Sequence, residues 1–283
     1  MSTTEIKNET MPLLKASIIV VLLFLVCAQF IRSYAVLKFQ DSGMSPLFAK
    51  DLSWLLVPTI MGILTAPILR DNWPALRSQF QLKSLTGRLI FASIALGVVL
   101  RLAQWGGKIT LVNFRLVTSP DPDAIIGPLF AFNCPSASTL ALTILVSVFL
   151  TPILEEIIHR GFLFHPLLRR GRVIAIAGSA LLFGIFHLPQ TIPSATIVGI
   201  FLAIQHLNSR TLWACTITHA TYNAIVIFDW YCVNTIWNPD RITQSTAAVG
   251  VLSFALLIVA LALAASLINK KWYATESGRE PPR

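Results

Sequence analysis

The sequence predicts an all-α fold, a polytopic membrane bundle of about eight transmembrane helices. Two observations predict it. Of the 283 residues 55% are hydrophobic and only 12% charged, and the mean hydropathy is +0.70. Soluble domains carry roughly twice that share of charge, about 25%. The apolar residues also fall into long runs separated by short polar, basic or Pro- and Gly-containing stretches, and a helix needs roughly 20 mainly apolar residues to cross the hydrocarbon. Backbone in hydrocarbon must satisfy its own hydrogen bonds, which a helix does within one segment.

Taken in order, the runs centre on 14–36, 52–69, 88–105, 137–168, 173–188, 194–208, 212–230 and 246–268. The first follows a short polar stretch and shows no small-residue cleavage site, so it reads as a retained span and not a secretory signal. Segment 106–136 reads as a loop. The fourth run is long enough to be one helix interrupted by Pro152, and Gly171 among arginines marks the turn into the fifth. Trp54, Trp73, Trp105, Trp230 and Trp237 lie near run ends, as an aromatic belt does. No internal repeat is present and the polar stretches are too short for a separate core. The prediction is a single membrane domain, 1–283, with its chemistry in a core of about 137–230.

The formal net charge of +9 raises the question of nucleic acid, but in a membrane chain basic residues are tested first against the positive-inside rule. With eight spans and both termini inside, Arg70, Arg77, Lys83, Arg88, Arg169, Arg170, Arg172, Arg210, Lys270 and Lys271 fall on one side, while Lys38, Lys50, Lys108, Arg115 and Arg241 fall on the other. The bias places both termini in the cytoplasm of what reads as a bacterial inner (plasma) membrane, and the lipid bilayer, not nucleic acid, is the expected partner. The four cysteines, Cys27, Cys134, Cys215 and Cys232, have no paired CxxC spacing, which argues against a cysteine-rich metal site. Cys134 and Cys232 both fall near the predicted outer face.

The chemistry concentrates on Glu155 and Glu156, the only acids between Asp123 and Asp229. An acid in a membrane segment marks a functional site whose partner must be named. Glu156 and Arg160 are four apart and can pair along one helix face, leaving Glu155 on an adjacent face to bind and activate a water. Glu155 lies 14 residues before Arg169 and His187 lies 15 residues after Arg172. At about 1.5 Å per residue the two reach similar depth on neighbouring antiparallel helices. His219 and Asn223, again four apart, present two polar groups from one face of the seventh run. His159, His165 and His206 read as structural or interfacial residues, with His159 one turn beyond Glu155. No Gly-x-Ser-x-Gly elbow supplies another hydrolytic nucleophile.

Three motifs in this order, Glu155-Glu156-x-x-x-Arg160 followed by Gly161, Phe183-x-x-x-His187, and His219-x-x-x-Asn223, give the chain a resemblance to the CPBP intramembrane endopeptidases, the CAAX-processing proteases and their bacteriocin-processing relatives. The resemblance covers roughly residues 137–230. It implies a membrane protease in which Glu155 and His187 activate a water that attacks the scissile carbonyl. His219 and Asn223 then stabilise the oxyanion, with Glu156, Arg160 and Phe183 supporting. It implies a protein or peptide substrate cut near its C-terminus or membrane segment, with access from the cytoplasm. The reading favours a mechanism without cofactor, since Asn223 is a poor zinc ligand and a good oxyanion donor. The residues also allow zinc, with Glu155, His187 and His219 as a His₂Glu set. The competing class is a non-enzymatic membrane adaptor or bacteriocin immunity protein of the same fold.

Overall fold

In the computed structural model, residues 11–82, 85–118, 136–187 and 191–231 are described, together with 252 and 255. Among them the structure is helical, with no strand. Five helices are long and apolar enough to cross a membrane: Ser17–Asp41, Pro46–Pro74, Gly87–Gln104, Ala137–Leu168 and Ile192–Ser209.

The first begins as α1 (Met11–Leu25), widens into a π-turn (Val26–Ile31) and continues as α2 (Arg32–Asp41). A short α3 (Pro46–Trp54) starts where Ser45 caps the Phe48 amide and Pro46 occupies the first turn, where a missing N–H costs nothing. α4 (Leu56–Gln79) and α5 (Gly87–Thr118) follow. α5 carries helix into the segment the sequence assigned to a loop from residue 106. Gly106 and Gly107 each weaken a helix by about 1 kcal/mol relative to Ala but leave every backbone N–H in place, so they do not end it.

The fourth run is a continuous helix with two wide turns. It comprises α6 (Ala137–Thr143), a π-turn (Ile144–Leu150), α7 (Thr151–Glu156), a second π-turn (Ile157–Leu163) and α8 (Phe164–Leu168). The interruption expected at Pro152 is therefore a widening and not a break. Gly171, at φ +127°, makes the turn into α9 (Arg172–Ile185), a conformation only glycine adopts cheaply. The fifth helix stops three residues short of the expected Leu188, at Ile185. α10 (Ile192–Ser209) and α11 (Leu212–Tyr231) complete the described bundle. The expected run 246–268 and the Cys134–Cys232 pair lie outside the described residues, apart from Leu252 and Ala255.

The helix carrying Glu155 is central. The first helix, through Val20 and Phe24 of α1 and Cys27 of its π-turn, shares a core cluster with Ile158 and Phe162 of this helix and Leu212 of α11. Pro166 has no N–H to give Phe162 O four residues back, and Ser17 Oγ of α1 supplies the hydrogen at 2.6 Å. At its other end Thr143 donates to the buried Asp51 of α3. Around this axis the remaining helices approach closely at small residues, as membrane helices do where no hydrophobic force drives them together. A Cβ on Gly184 of α9 would lie 2.0 Å from Thr196 Oγ1, and one on Gly199 of α10 would lie 3.0 Å from Ala180 Cα. A Cβ on Gly97 of α5 would meet Thr218 O at 2.6 Å and Thr221 Cβ at 2.8 Å on α11. Polar pins join α5 to both neighbours: Thr218 Oγ1 of α11 donates to Ser93 O at 2.9 Å and Gln205 Nε2 of α10 donates to Ser93 Oγ at 3.0 Å.

Because a backbone carbonyl cannot retreat as a side chain can, Gly97→Val should force α5 away from α11. The expected cost is about 1–3 kcal/mol of stability, read as a lower thermal unfolding midpoint of the protein in nanodiscs.

Candidate active site

The site begins with an ion pair that the i,i+4 spacing anticipates. Glu156 Oε1 and Arg160 Nη1 are 3.2 Å apart and both side chains are fully buried. The guanidinium's other arm, Nη2, donates to Gly199 O of α10 at 2.9 Å, and its plane lies 4.9 Å over the Phe183 ring of α9. One arginine thus gathers three helices through a carboxylate, a carbonyl and a π-face. Donation from two arms to separate acceptors, with a ring against the guanidinium, suits Arg and not Lys.

Glu156 Oε1 also accepts from His219 Nδ1 of α11 at 3.0 Å. That bond fixes the imidazole, since a carboxylate held by arginine only accepts and Nδ1 must carry the hydrogen. Nε2 is turned the other way, 3.8 Å from Glu155 Oε2. Glu155, Glu156 and His219 are all buried, and the two carboxylates sit on opposite sides of one imidazole. Among the described residues Glu155 Oε2 has no hydrogen-bond partner.

Phe183 is the hub of the second layer. Its ring centroid lies 4.8 Å from that of His187, 5.3 Å from His159 and 5.4 Å from His219. His187 sits just past the end of α9 for a local reason. Its own N–H bonds to Gly184 O, which leaves Phe183 O without its usual donor, and the His187 side chain caps that carbonyl through Nδ1 at 2.8 Å. The cap sets the neutral tautomer and leaves Nε2 as a lone pair. Gln29 Nε2 of the first helix holds the neighbouring Phe186 O at 3.2 Å.

Asn223, one turn beyond His219, donates through Nδ2 to Ser147 O at 2.8 Å. It is tied to the same helix as Glu155, about two turns earlier. His159, one turn after Glu155, is fully buried against Phe24, Phe183 and Phe186. Its environment is aromatic packing. His165 and His206 meet each other and Phe164 edge to face.

The structure therefore groups Glu155, Glu156, Arg160, Phe183, His187 and His219 about one aromatic ring, with Asn223 anchored alongside. Among the described residues Glu155 and His187 share no hydrogen bond or ion pair, and the imidazole that faces Glu155 is His219. The early end of α9 commits His187 Nδ1 to Phe183 O and leaves Nε2 as its acceptor. Among the described residues no group of three or more His, Cys, Asp or Glu side chains is placed to hold a metal ion. Sequence reasoning missed the two backbone carbonyls, Gly199 O and Ser147 O, that fix Arg160 and Asn223. The small residues Gly199 and Ala180 were a signal for the first, and Pro152 was a signal for the second.

Comparison with known proteins bears on the segment that holds all of these residues. Residues 137–225 match the family model described as type II CAAX prenyl endopeptidase Rce1-like. This segment is similar to the Rce1-like family. The Rce1-like family is a protease family, consistent with the CPBP resemblance drawn from the three motifs. An uncharacterized protein of Mycoplasma capricolum subsp. capricolum is 28% identical over 124 residues, covering 42% of this chain and 36% of that protein. The chain thus spans little more than a third of that relative's length. No solved structure matches the chain.

The segment depends on its buried charge being paired. Removing one partner of a buried pair typically costs about 3–5 kcal/mol because the other charge is left unpaired. Arg160→Ala should destabilise by about that amount, while Arg160→Ala with Glu156→Gln should recover part of the loss. Unfolding of the single and double variants in nanodiscs checks this.

Proposed function

We propose that this chain is an intramembrane endopeptidase that hydrolyses a peptide bond near the C-terminus or membrane segment of a protein or peptide substrate. The observation that carries the reading is Glu155, a buried carboxylate with one oxygen unclaimed by the described residues and facing the Nε2 of His219 at 3.8 Å. Glu156 Oε2 is unpartnered as well, but Glu156 Oε1 is held by both Arg160 Nη1 and His219 Nδ1 and takes the structural role. Glu155 stands 3.8 Å from His219 Nε2, beyond hydrogen-bond distance, and is left for chemistry.

In this mechanism Glu155 binds a water and takes one of its protons as the oxygen attacks the scissile carbonyl. The Nε2 lone pair of His187 accepts the water's other hydrogen and aims the oxygen's attack. The carbonyl oxygen becomes an oxyanion as the C–O bond forms. His219, protonated on both nitrogens between two carboxylates, offers Nε2–H to it, and Asn223 offers the Nδ2–H not used on Ser147 O. Collapse of the tetrahedral intermediate breaks the C–N bond, and Glu155 passes its proton to the departing amine. Donors fixed before the reaction in a water-poor site give the largest share of such rate enhancement. No cofactor enters the mechanism.

A substrate helix has its scissile carbonyl bonded within itself, so an extended or unwound end must reach the site. The substrate class that the family's name supplies is a prenylated C-terminus. The charge bias supports a bacterial inner membrane with both termini, and access to the site, on the cytoplasmic side.

Glu155→Ala, expressed at the wild-type level, should abolish cleavage. A comparison of the C-terminal ends of membrane proteins in cells with the two forms should show uncleaved termini only in the variant. Asn223→Ala should lower the rate by about 10²–10³, the usual worth of one oxyanion donor. An unchanged set of termini, with a cellular phenotype that survives Glu155→Ala, would replace the enzyme with an adaptor.

A further inference from the structure

We infer that Pro152 is a positioning residue for Asn223, acting through the carbonyl of Ser147. The inference rests on the proteolytic reading above for its functional consequence, and on backbone accounting for its structural one. In the π-turn Ile144–Leu150 each N–H bonds five residues back, and the last rung runs from Thr151 N–H to Val146 O. The next rung would run from residue 152 to Ser147 O. Residue 152 is proline, which has no N–H to give. The donor that would serve Ser147 O in an ordinary α-helix, Thr151 N–H, is already spent on Val146 O. Ser147 O therefore has neither of its possible ladder donors, and a partly buried carbonyl in that position takes a partner from elsewhere.

That partner is Asn223 Nδ2, 2.8 Å away and 76 residues distant in sequence. Because Ser147 O can only accept, the atom facing it must be the amide nitrogen, so the orientation of the Asn223 side chain follows from chemistry. With one N–H held, the amide plane is fixed and the second N–H has a defined direction. The bond also ties α11 to the helix that carries Glu155, so base and oxyanion donor are referenced to one rigid element. Pro152 stands three residues before Glu155 and touches no reacting atom in this account. It acts by what it lacks.

Pro152→Ala restores an N–H aimed at Ser147 O and so competes with Asn223. In nanodiscs, with an internally quenched peptide ending in a prenylated cysteine and three further residues, the variant should lose roughly tenfold in kcat with KM little changed, part of the 10²–10³ expected for outright loss of a donor. In an Asn223→Ala background the same substitution should have no further effect, which a merely structural role would not produce. The bond itself is read separately. Ser147-Val148 is the only Ser-Val pair in the sequence, so labelling serine at the carbonyl carbon with ¹³C and valine with ¹⁵N isolates the Ser147 carbonyl in solid-state NMR. Its resonance should move upfield in Asn223→Ala. An unmoved resonance, full activity of Pro152→Ala, or an equal loss in both backgrounds would each overturn the proposal. If instead Glu155→Ala cleaves the peptide as wild type does, the proteolytic reading fails, and the carbonyl resonance still decides whether the anchor exists.

Discussion

A charged pair with no exposure to solvent sets the terms for the rest of this bundle. Glu156 and Arg160 sit on a helix that is apolar on both sides of them, and desolvating two charges costs several kcal/mol per ion unless geometry and extra hydrogen bonds repay it. Repayment comes from three other helices: Gly199 O of α10, the Phe183 ring of α9 and His219 of α11. Each of those contacts requires its helix to stand at one depth and one rotation. The close approaches at Gly184 and Gly199 are what let α9 and α10 come near enough to meet the requirement. A pair that is expensive alone thereby becomes the register mark for the site.

A second constraint works through the backbone. The central helix contains Pro152 and Pro166 and two π-turns, and each proline withdraws a donor from the ladder. In water the freed carbonyls would be solvated. Inside a membrane protein they are satisfied by neighbouring helices, and here Ser17 and Asn223 do so. Loss of regular helix is converted into specific contacts between helices that share no strong hydrophobic drive to associate. The same logic holds at the end of α9, where an uncapped carbonyl fixes the tautomer and position of His187.

The functional groups sit where these two constraints meet. Glu156 and Glu155 are neighbours in sequence and differ in fate because 100° of helical rotation separates them. One is held through Oε1 by Arg160 and His219, and the other faces His219 Nε2 at 3.8 Å, beyond hydrogen-bond distance. His219 between them is oriented by the first and presented to the second, as outer-shell carboxylates orient imidazoles elsewhere.

Much of this was legible in the sequence because it depends on spacing alone. Hydrophobic run length gave the helical membrane class, and i,i+4 periodicity gave the Glu156–Arg160 pair and the shared face of His219 and Asn223. Gly171 announced the turn into α9. The loop expected from residue 106 gives way to helix as far as Thr118, because the glycines there leave every backbone N–H in place. Counting residues predicts a similar depth for Glu155 and His187 but not the absence of a direct hydrogen bond between them, which depends on α9 ending at Ile185 and on which donor reaches Phe183 O. The sequence by itself determined which side chains are available and on which helical faces they lie, because local periodicity is a property of the chain. Only the tertiary structure decided that His219 faces Glu155, that Phe183 is the hub and that Ser147 O holds Asn223. Those contacts arise between residues far apart in sequence, and their geometry is set by how closely small residues let the helices pack.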